Sequence, residues 1–138
     1  MIAYVDASVV LRLVLGQSPR VRQWKRVKRA VTSMLAEVEC LRTLQRLRTA
    51  NELDDEDVAD VRAAVYRILE TFEVVEPNRT VLTRAAMPMP TALGTLDAIH
   101  LATALLWREH HDAEVTMLTH DDALATAARA CGMPVLGV

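Results

Sequence analysis

Two kinds of apolar spacing alternate along the 138 residues. Short continuous apolar runs, "IAYV" from Ile2, "EVVEP" from Glu73 and "AEVTML" from Ala113, read as strands covered on both faces. A further short strand is expected near Ala30–Thr32 and a last one in "PVLGV". Between them the spacing turns helical. "ASVVLRLVL" has helical character up to Gly16, and "SMLAEVECLRTLQRLRTA" predicts a helix with Ser33 as its capping residue. The apolar arc of that helix is Met34, Val38, Leu41 and Leu44. "LDDEDVADVRAAVYRILETF" crowds acids into its first turn, where the helix dipole favours them. "NRTVLTRAAM" predicts a helix capped by Asn78, "PMPTALG" a loop broken by prolines, and "DALATAARAC" a helix closed by Gly132. Strands alternating with helices predict an α/β protein. The expected form is a three-layer α/β/α domain over residues 1–138, with a mainly parallel sheet of four to five strands.

One helix breaks the usual amphipathic rule. "GTLDAIHLATALLW" is apolar almost all the way round, the mark of a helix with little water on any side. Asp97, His100 and Thr103 form a single polar stripe along it. A buried charge needs compensation. In open parallel sheets functional groups gather at the carboxyl ends of the strands, near the point where strand order reverses. Asp6 closes the first strand, Asp121 and Asp122 follow the strand ending near Thr119, and Asp97 opens its helix after a loop. Each acid taken alone is explained by helix capping. Capping explains all three together less well, because each is embedded between apolar stretches. A carboxylate cluster raises its own pKa values or recruits a cation. Oxygen donors without a Cys/His set favour magnesium or manganese, ions suited to phosphodiester hydrolysis. The cation expected to compensate Asp97 is therefore a metal rather than an arginine or a histidine. His100 is expected to be a satisfied histidine in a packed helix.

Composition narrows the field. Hydrophobic content of 51% and charged content of 25% describe an ordinary folded domain. The start "MIAYVDAS" carries no basic leader, and no apolar run approaches the ~18–20 residues that span a bilayer. Cys40 and Cys131 stand alone, without a zinc or disulfide pattern, so a reducing cytoplasm is the expected setting. No G-x-S-x-G occurs and neither cysteine has a histidine partner by motif, which disfavours nucleophilic catalysis. The net charge of −2 conceals a basic segment, "RVRQWKRVKR", with Arg20, Arg22, Lys25, Arg26, Lys28 and Arg29 and no acid. Outside it, ten basic residues face eighteen acidic ones. The segment reads first as a solvated helix face and second as a phosphate-gripping surface, with Trp24 placed to stack on an unpaired base.

"YVDAS", "EVECLR", "TLDAIHLATAL" and "THDDALATAA", in that order across the chain, resemble the PIN-domain family. The likeness is strongest to the VapC-type ribonuclease toxins of toxin–antitoxin pairs. "LDAIHLATAL" is its most specific block. The resemblance implies a parallel sheet with helices on both sides. It also implies three or four acids that bind Mg²⁺ or Mn²⁺ and cut single-stranded or looped RNA. Carried over, it assigns Asp6, Glu39, Asp97 and Asp121 to the site, with Ser8 beside Asp6. Thr95 and Thr119 are candidate supporting residues, explained nearly as well by helix capping and strand ending. Periodicity does not choose between Glu37 and Glu39, and the motif's arginine three residues later, Arg42, favours Glu39. Without that motif, Glu39 and Arg42 read as a surface i,i+3 pair. Asp121 is preferred to Asp122 because it directly follows "TH"; the family often has a basic residue just after the fourth acid, where this chain has Asp122 and Ala123. The family further implies a homodimer and a neutralising antitoxin whose tail occupies the acidic groove.

Other α/β readings fit less well. A receiver domain needs a second acid after the first strand and a late lysine, yet the only lysines are Lys25 and Lys28. A haloacid-dehalogenase-like phosphatase needs D-x-D where this chain has Asp6, Ala7, Ser8. The remaining rival is a catalytically silent PIN-like module for RNA binding or assembly, disfavoured by retention of all four acids.

Overall fold

A computed structural model describes residues 1–138. Five strands form one sheet in the order β3-β2-β1-β4-β5, every neighbouring pair parallel. The strands are β1 (Ile2–Val5), β2 (Arg29–Ser33), β3 (Glu73–Val75), β4 (Val115–Leu118) and β5 (Val135–Leu136). The helices are α1 (Ala7–Val14), α2 (Leu35–Thr49), α3 (Asp55–Leu69), α4 (Arg79–Ala85), α5 (Thr95–His111) and α6 (Asp122–Ala130). The chain thus winds outward from β1 to β3, then returns to the other side of β1 for β4 and β5. The strand order reverses between β1 and β4, the topological switch point of this architecture.

Side-chain alternation divides the core into two. Ala3 and Val5 of β1 and Leu118 of β4 face Val9, Val10, Ala36, Cys40, Leu44 and Val65, contributed by α1, α2 and α3. Tyr4 of β1 and Val115 and Met117 of β4 face Leu101, Leu105, Leu124 and Ala128 of α5 and α6. The three-layer α/β/α reading stands, with five strands and no antiparallel member. No helix is long and apolar enough to cross a membrane.

Three local readings change. The buried side of α2 is Ala36, Cys40 and Leu44, whereas Met34 and Val38 are 43% and 53% exposed. Small residues let α2 lie close against α1, where Cys40 approaches the Ala7 carbonyl. Ser33 is the last residue of β2 rather than the helix cap, although its Oγ accepts the Leu35 N–H at 3.2 Å. The basic segment is a short 3₁₀ helix (Arg22–Arg26) followed by the start of β2. Its Trp24 packs on Phe72, ring centroids 6.0 Å apart, within the first core.

Candidate active site

Four carboxylates from four different parts of the chain line one cleft of about 480 Å³. Asp6 follows β1, Glu39 lies on α2, Asp97 sits in the first turn of α5, and Asp121 opens α6 after β4. Asp6 and Asp121 flank the switch point. α2 and α5 reach it from opposite faces of the sheet, so no single helix or strand carries the cluster.

The three acids near helix starts have different local roles. Asp121 caps α6 with its side chain, its Oδ1 accepting the Leu124 N–H at 2.8 Å. Asp6 stands at the N-cap of α1 yet makes no capping bond. Its Oδ2 instead accepts the Ser8 hydroxyl at 2.6 Å and the Thr119 hydroxyl at 2.9 Å, and the residue is only 5% exposed. Asp97 is not a cap at all, since Gly94 holds that place on α5 without a side-chain bond. Burial raises the Asp97 pKa above the usual carboxylate value, and the charges of Asp121 and Asp6 push it the same way.

Hydroxyls and backbone amides lock these acids to one another. Ser8 Oγ accepts the His120 N–H at 2.9 Å while donating to Asp6, and Thr119 Oγ1 accepts the Asp121 N–H at 3.0 Å while donating to Asp6. Thr119 therefore joins the loop after β4 to the carboxylate after β1. Gly137 makes room for this arrangement: at its φ of 112° a Cβ would fall 2.3 Å from the Thr119 carbonyl oxygen.

His100 is the one cation-forming side chain that touches the acids. It is fully buried, and its Nε2 lies 2.5 Å from Glu39 Oε1 and 3.8 Å from Asp6 Oδ1. On the other ring edge, Nδ1 is 2.8 Å from the Tyr4 hydroxyl. Burial alone disfavours the charged imidazolium, but the Glu39 hydrogen bond and the charges of Asp6, Glu39 and Asp97 outweigh it, so the His100 pKa is raised. Tyr4 moves up as well, from burial first and the Asp6 charge second. The expectation that a metal rather than a histidine compensates Asp97 concerns a residue that His100 does not contact. His100 serves Glu39 and Asp6 directly and Asp97 only through its charge.

The other expected residues divide. Glu37 and Asp122 do not line the cleft, whereas Glu39 and Asp121 do. Thr95 is exposed and lines a different, apolar groove between α4 and α5. None of Arg20, Arg22, Lys25, Arg26, Lys28 and Arg29 lines the acidic cleft. Their segment runs to the start of β1, where the Lys28 N–H bonds the Met1 carbonyl, and Arg29 pairs with Glu73 at 2.7 Å. Both tie it to the amino ends of strands, away from the acids. The basic side chains that do line the cleft are Arg42 and Arg46 of α2. The sequence places both beside Glu39 at the polar edge of the helix and gives neither a role in the site. Their signal is the i, i+3, i+7 spacing from Glu39, which sets positions 39, 42 and 46 on one helix face. Tyr4 carried no such signal, because a strand tyrosine inside an apolar run reads simply as core.

The PIN domain family matches residues 3–130, nearly the whole chain. Ribonuclease VapC46 of Mycobacterium tuberculosis (strain ATCC 25618 / H37Rv) is 33% identical over 137 residues, covering 96% of this chain and 95% of that protein. The chain belongs to the PIN-domain family. Solved structures agree in fold. A toxin-antitoxin complex from Klebsiella pneumoniae contains a chain that superposes with a TM-score of 0.61 at 19% identity, over 89% of this chain and 90% of that one. PAE2754 from Pyrobaculum aerophilum gives 0.64 at 20% identity, over 97% and 83%. At these identities the likeness is one of fold alone.

A divalent cation fits the donor set of this PIN domain. No three or more of its His, Cys, Asp and Glu side chains stand as a ready-made chelate. Magnesium does not need one, since it usually keeps several waters and takes one or two carboxylates plus substrate phosphates. The four acids form no ion pair with any arginine or lysine, the salt bridges within the cluster being those of His100. Burial, and then the charges of Asp121 and Asp6, raise the Asp97 pKa, a direction that a cation bound among these acids would oppose.

Proposed function

We propose that this PIN domain, taken as a single nuclease unit over residues 1–138, is a Mg²⁺- or Mn²⁺-dependent endoribonuclease, the toxin of a type II toxin–antitoxin pair. The observation that carries the reading is the convergence of Asp6, Glu39, Asp97 and Asp121 on one cleft at the switch point. The 33% identity to a ribonuclease across nearly the full length of both chains supports the chemistry. Asp6, Glu39, Asp97 and Asp121 would hold one or two ions. When bound, such an ion polarises a phosphodiester and lowers the pKa of water.

The chain's own residues prepare that site before any substrate arrives. Ser8 and Thr119 aim Asp6 by donating to one of its oxygens. The Thr119 hydroxyl also fixes the backbone of Asp121. His100, held by Tyr4, orients Glu39. Asp97 is carried by the most buried helix of the fold, so its carboxylate enters the cleft from a rigid mount. Preorganisation of this kind lets charge developing in the transition state meet groups already in place. The family likeness further implies a cytoplasmic homodimer and an antitoxin that covers the acidic groove. The exposed Leu82 and Met87 beside the groove between α4 and α5 support the self-association.

The test compares the purified protein with its Asp97→Asn variant on total RNA, with manganese and with EDTA. Cleavage by the parent protein only, abolished by EDTA, is the expected result. Equal cleavage by both proteins, or cleavage surviving EDTA, would remove the metal–carboxylate mechanism. RNA bound but left intact would favour the silent binding module.

A further inference from the structure

The arginines of α2 differ in what holds them. Glu39 lies three residues before Arg42, the spacing of a helix ion pair, yet Glu39 bonds His100 instead. Arg42 is left exposed, without an ion pair, and it lines the acidic cleft. One turn further on, Arg46 lines the same cleft, and its Nη2 donates to the Thr43 hydroxyl at 2.8 Å. Thr43 is itself part of the cleft wall, so that bond holds the guanidinium against it. Other arginines are committed elsewhere: Arg29 to Glu73, Arg48 to Asp55 and Arg84 to Glu109.

A row of two guanidiniums beside four carboxylates has a specific use. A nuclease cleft that is acidic throughout would repel the polyanion it must bind. Its acids need a neighbour that grips the strand without neutralising them. Arg42 and Arg46 do this from an adjacent stretch of helix, about 6 Å apart along the axis. That interval is comparable to the step between successive phosphates of an extended strand. Guanidinium presents paired N–H donors that match phosphate oxygens. Beyond Arg46 a second shallow hollow, lined by Gln45 and Thr49, continues the same track. The cleft contains no aromatic side chain for base stacking, so the grip falls on the backbone.

We propose that Arg42 and Arg46 form a phosphate-binding subsite that carries the RNA strand from the acid cluster outward along α2. This rests on the ribonuclease reading above and names the part of the chain that holds the substrate. The subsite reads charge and spacing rather than base identity. It also gives the split between His100 and Arg42 a purpose, because an Arg42–Glu39 ion pair would spend both groups on each other.

Binding is measured by fluorescence anisotropy with a short fluorescein-labelled single-stranded RNA. The Asp97→Asn protein is used with manganese, so the probe stays intact, across a series of salt concentrations. Arg42→Ala and Arg46→Ala are each expected to weaken binding about tenfold, the order of one charge-assisted hydrogen bond. Each should reduce the slope of log affinity against log salt by about 0.7, the share of one phosphate on a single strand. The losses should be alike for RNAs of different sequence, and Arg67→Ala on α3 serves as the charge-matched control. Unchanged affinity and slope in the folded Arg42→Ala and Arg46→Ala proteins would overturn the proposal. So would a loss confined to Arg22→Ala and Lys25→Ala in the 3₁₀ segment. Cleavage by the parent protein is scored separately. Intact RNA there would sink the nuclease reading, while the salt slopes decide the phosphate subsite either way.

Discussion

Ser8 and Thr119 donate to the same Asp6 oxygen, and each also accepts a backbone N–H from the loop after β4. They need not touch a metal or RNA to matter. Hydroxyls that orient a ligating carboxylate typically change metal affinity or activity by about 10–100-fold when removed. Ser8→Ala and Thr119→Ala are therefore expected to lower both manganese affinity and cleavage rate by that order. Unchanged manganese titrations for both variants would show that Asp6 holds its position unaided. Tyr4→Phe acts differently. It leaves the Nδ1 of the fully buried His100 without its 2.8 Å partner. A cost of about 1–3 kcal/mol in urea unfolding is expected, the desolvation penalty of an orphaned polar atom. These residues also mark the border of sequence legibility. Asp6 was recognisable from "YVDAS", but the contact of Tyr4 with a histidine 96 positions later was not.

Glu73 shows how separate elements are tied at the far end of the sheet. From β3 it accepts the Trp107 indole N–H of α5 at 2.8 Å and the Arg29 guanidinium of β2 at 2.7 Å. The Trp107 hydrogen bond, followed by Arg29, lowers the Glu73 pKa against the opposing effect of burial. A carboxylate with a depressed folded pKa stabilises the fold above its unfolded value, near 4.5, and that stability fades as pH falls through the folded value. Glu73→Gln should therefore flatten the loss of melting temperature on acidification below about pH 4.5. A variant whose acid limb retains the parent slope would assign that loss to other carboxylates. Near the opposite end, Gly137→Ala would drive a Cβ into the Thr119 carbonyl from a positive-φ position. Strain of roughly 1–3 kcal/mol is expected, with a fall in cleavage because Thr119 positions two acids. Melting and activity both at parent level would remove Gly137 from the site's support. The face of α2 was misread from its spacing for a related reason. Met34 and Val38 look like core by pattern, but α1 and the sheet admit only the small Ala36 and Cys40 at close range, with Leu44 filling the gap beyond.

The whole molecule couples its stability to the cleft. Four carboxylates brought together by folding repel one another more strongly than the same groups in an unfolded chain. A cation that binds only the folded arrangement must therefore raise the melting temperature. At a manganese concentration 100 times the dissociation constant the gain is about 2.7 kcal/mol. Asp97→Asn is expected to shift the metal-free protein upward, by relieving charge from a half-buried cluster, and to shrink the manganese increment. An increment of the same size in both proteins would place the ion outside this cleft.

The sequence by itself determined the architecture, because alternating apolar runs and helical spacing are local properties that survive without knowledge of partners. It also nominated four acids, since Asp6, Glu39, Asp97 and Asp121 stand in the motifs that carry the resemblance. Tertiary structure alone decided who compensates whom. Whether Glu39 meets Arg42 three residues away or His100 from the opposite layer depends on how α2 and α5, on opposite faces of the sheet, meet at the carboxyl ends of its strands. That same meeting leaves Arg42 and Arg46 to the cleft, and the conspicuous basic run at 20–29 lies outside it. Charge in a sequence is a count. Its use depends on distance and burial, which are set only when strands 113 residues apart are laid side by side.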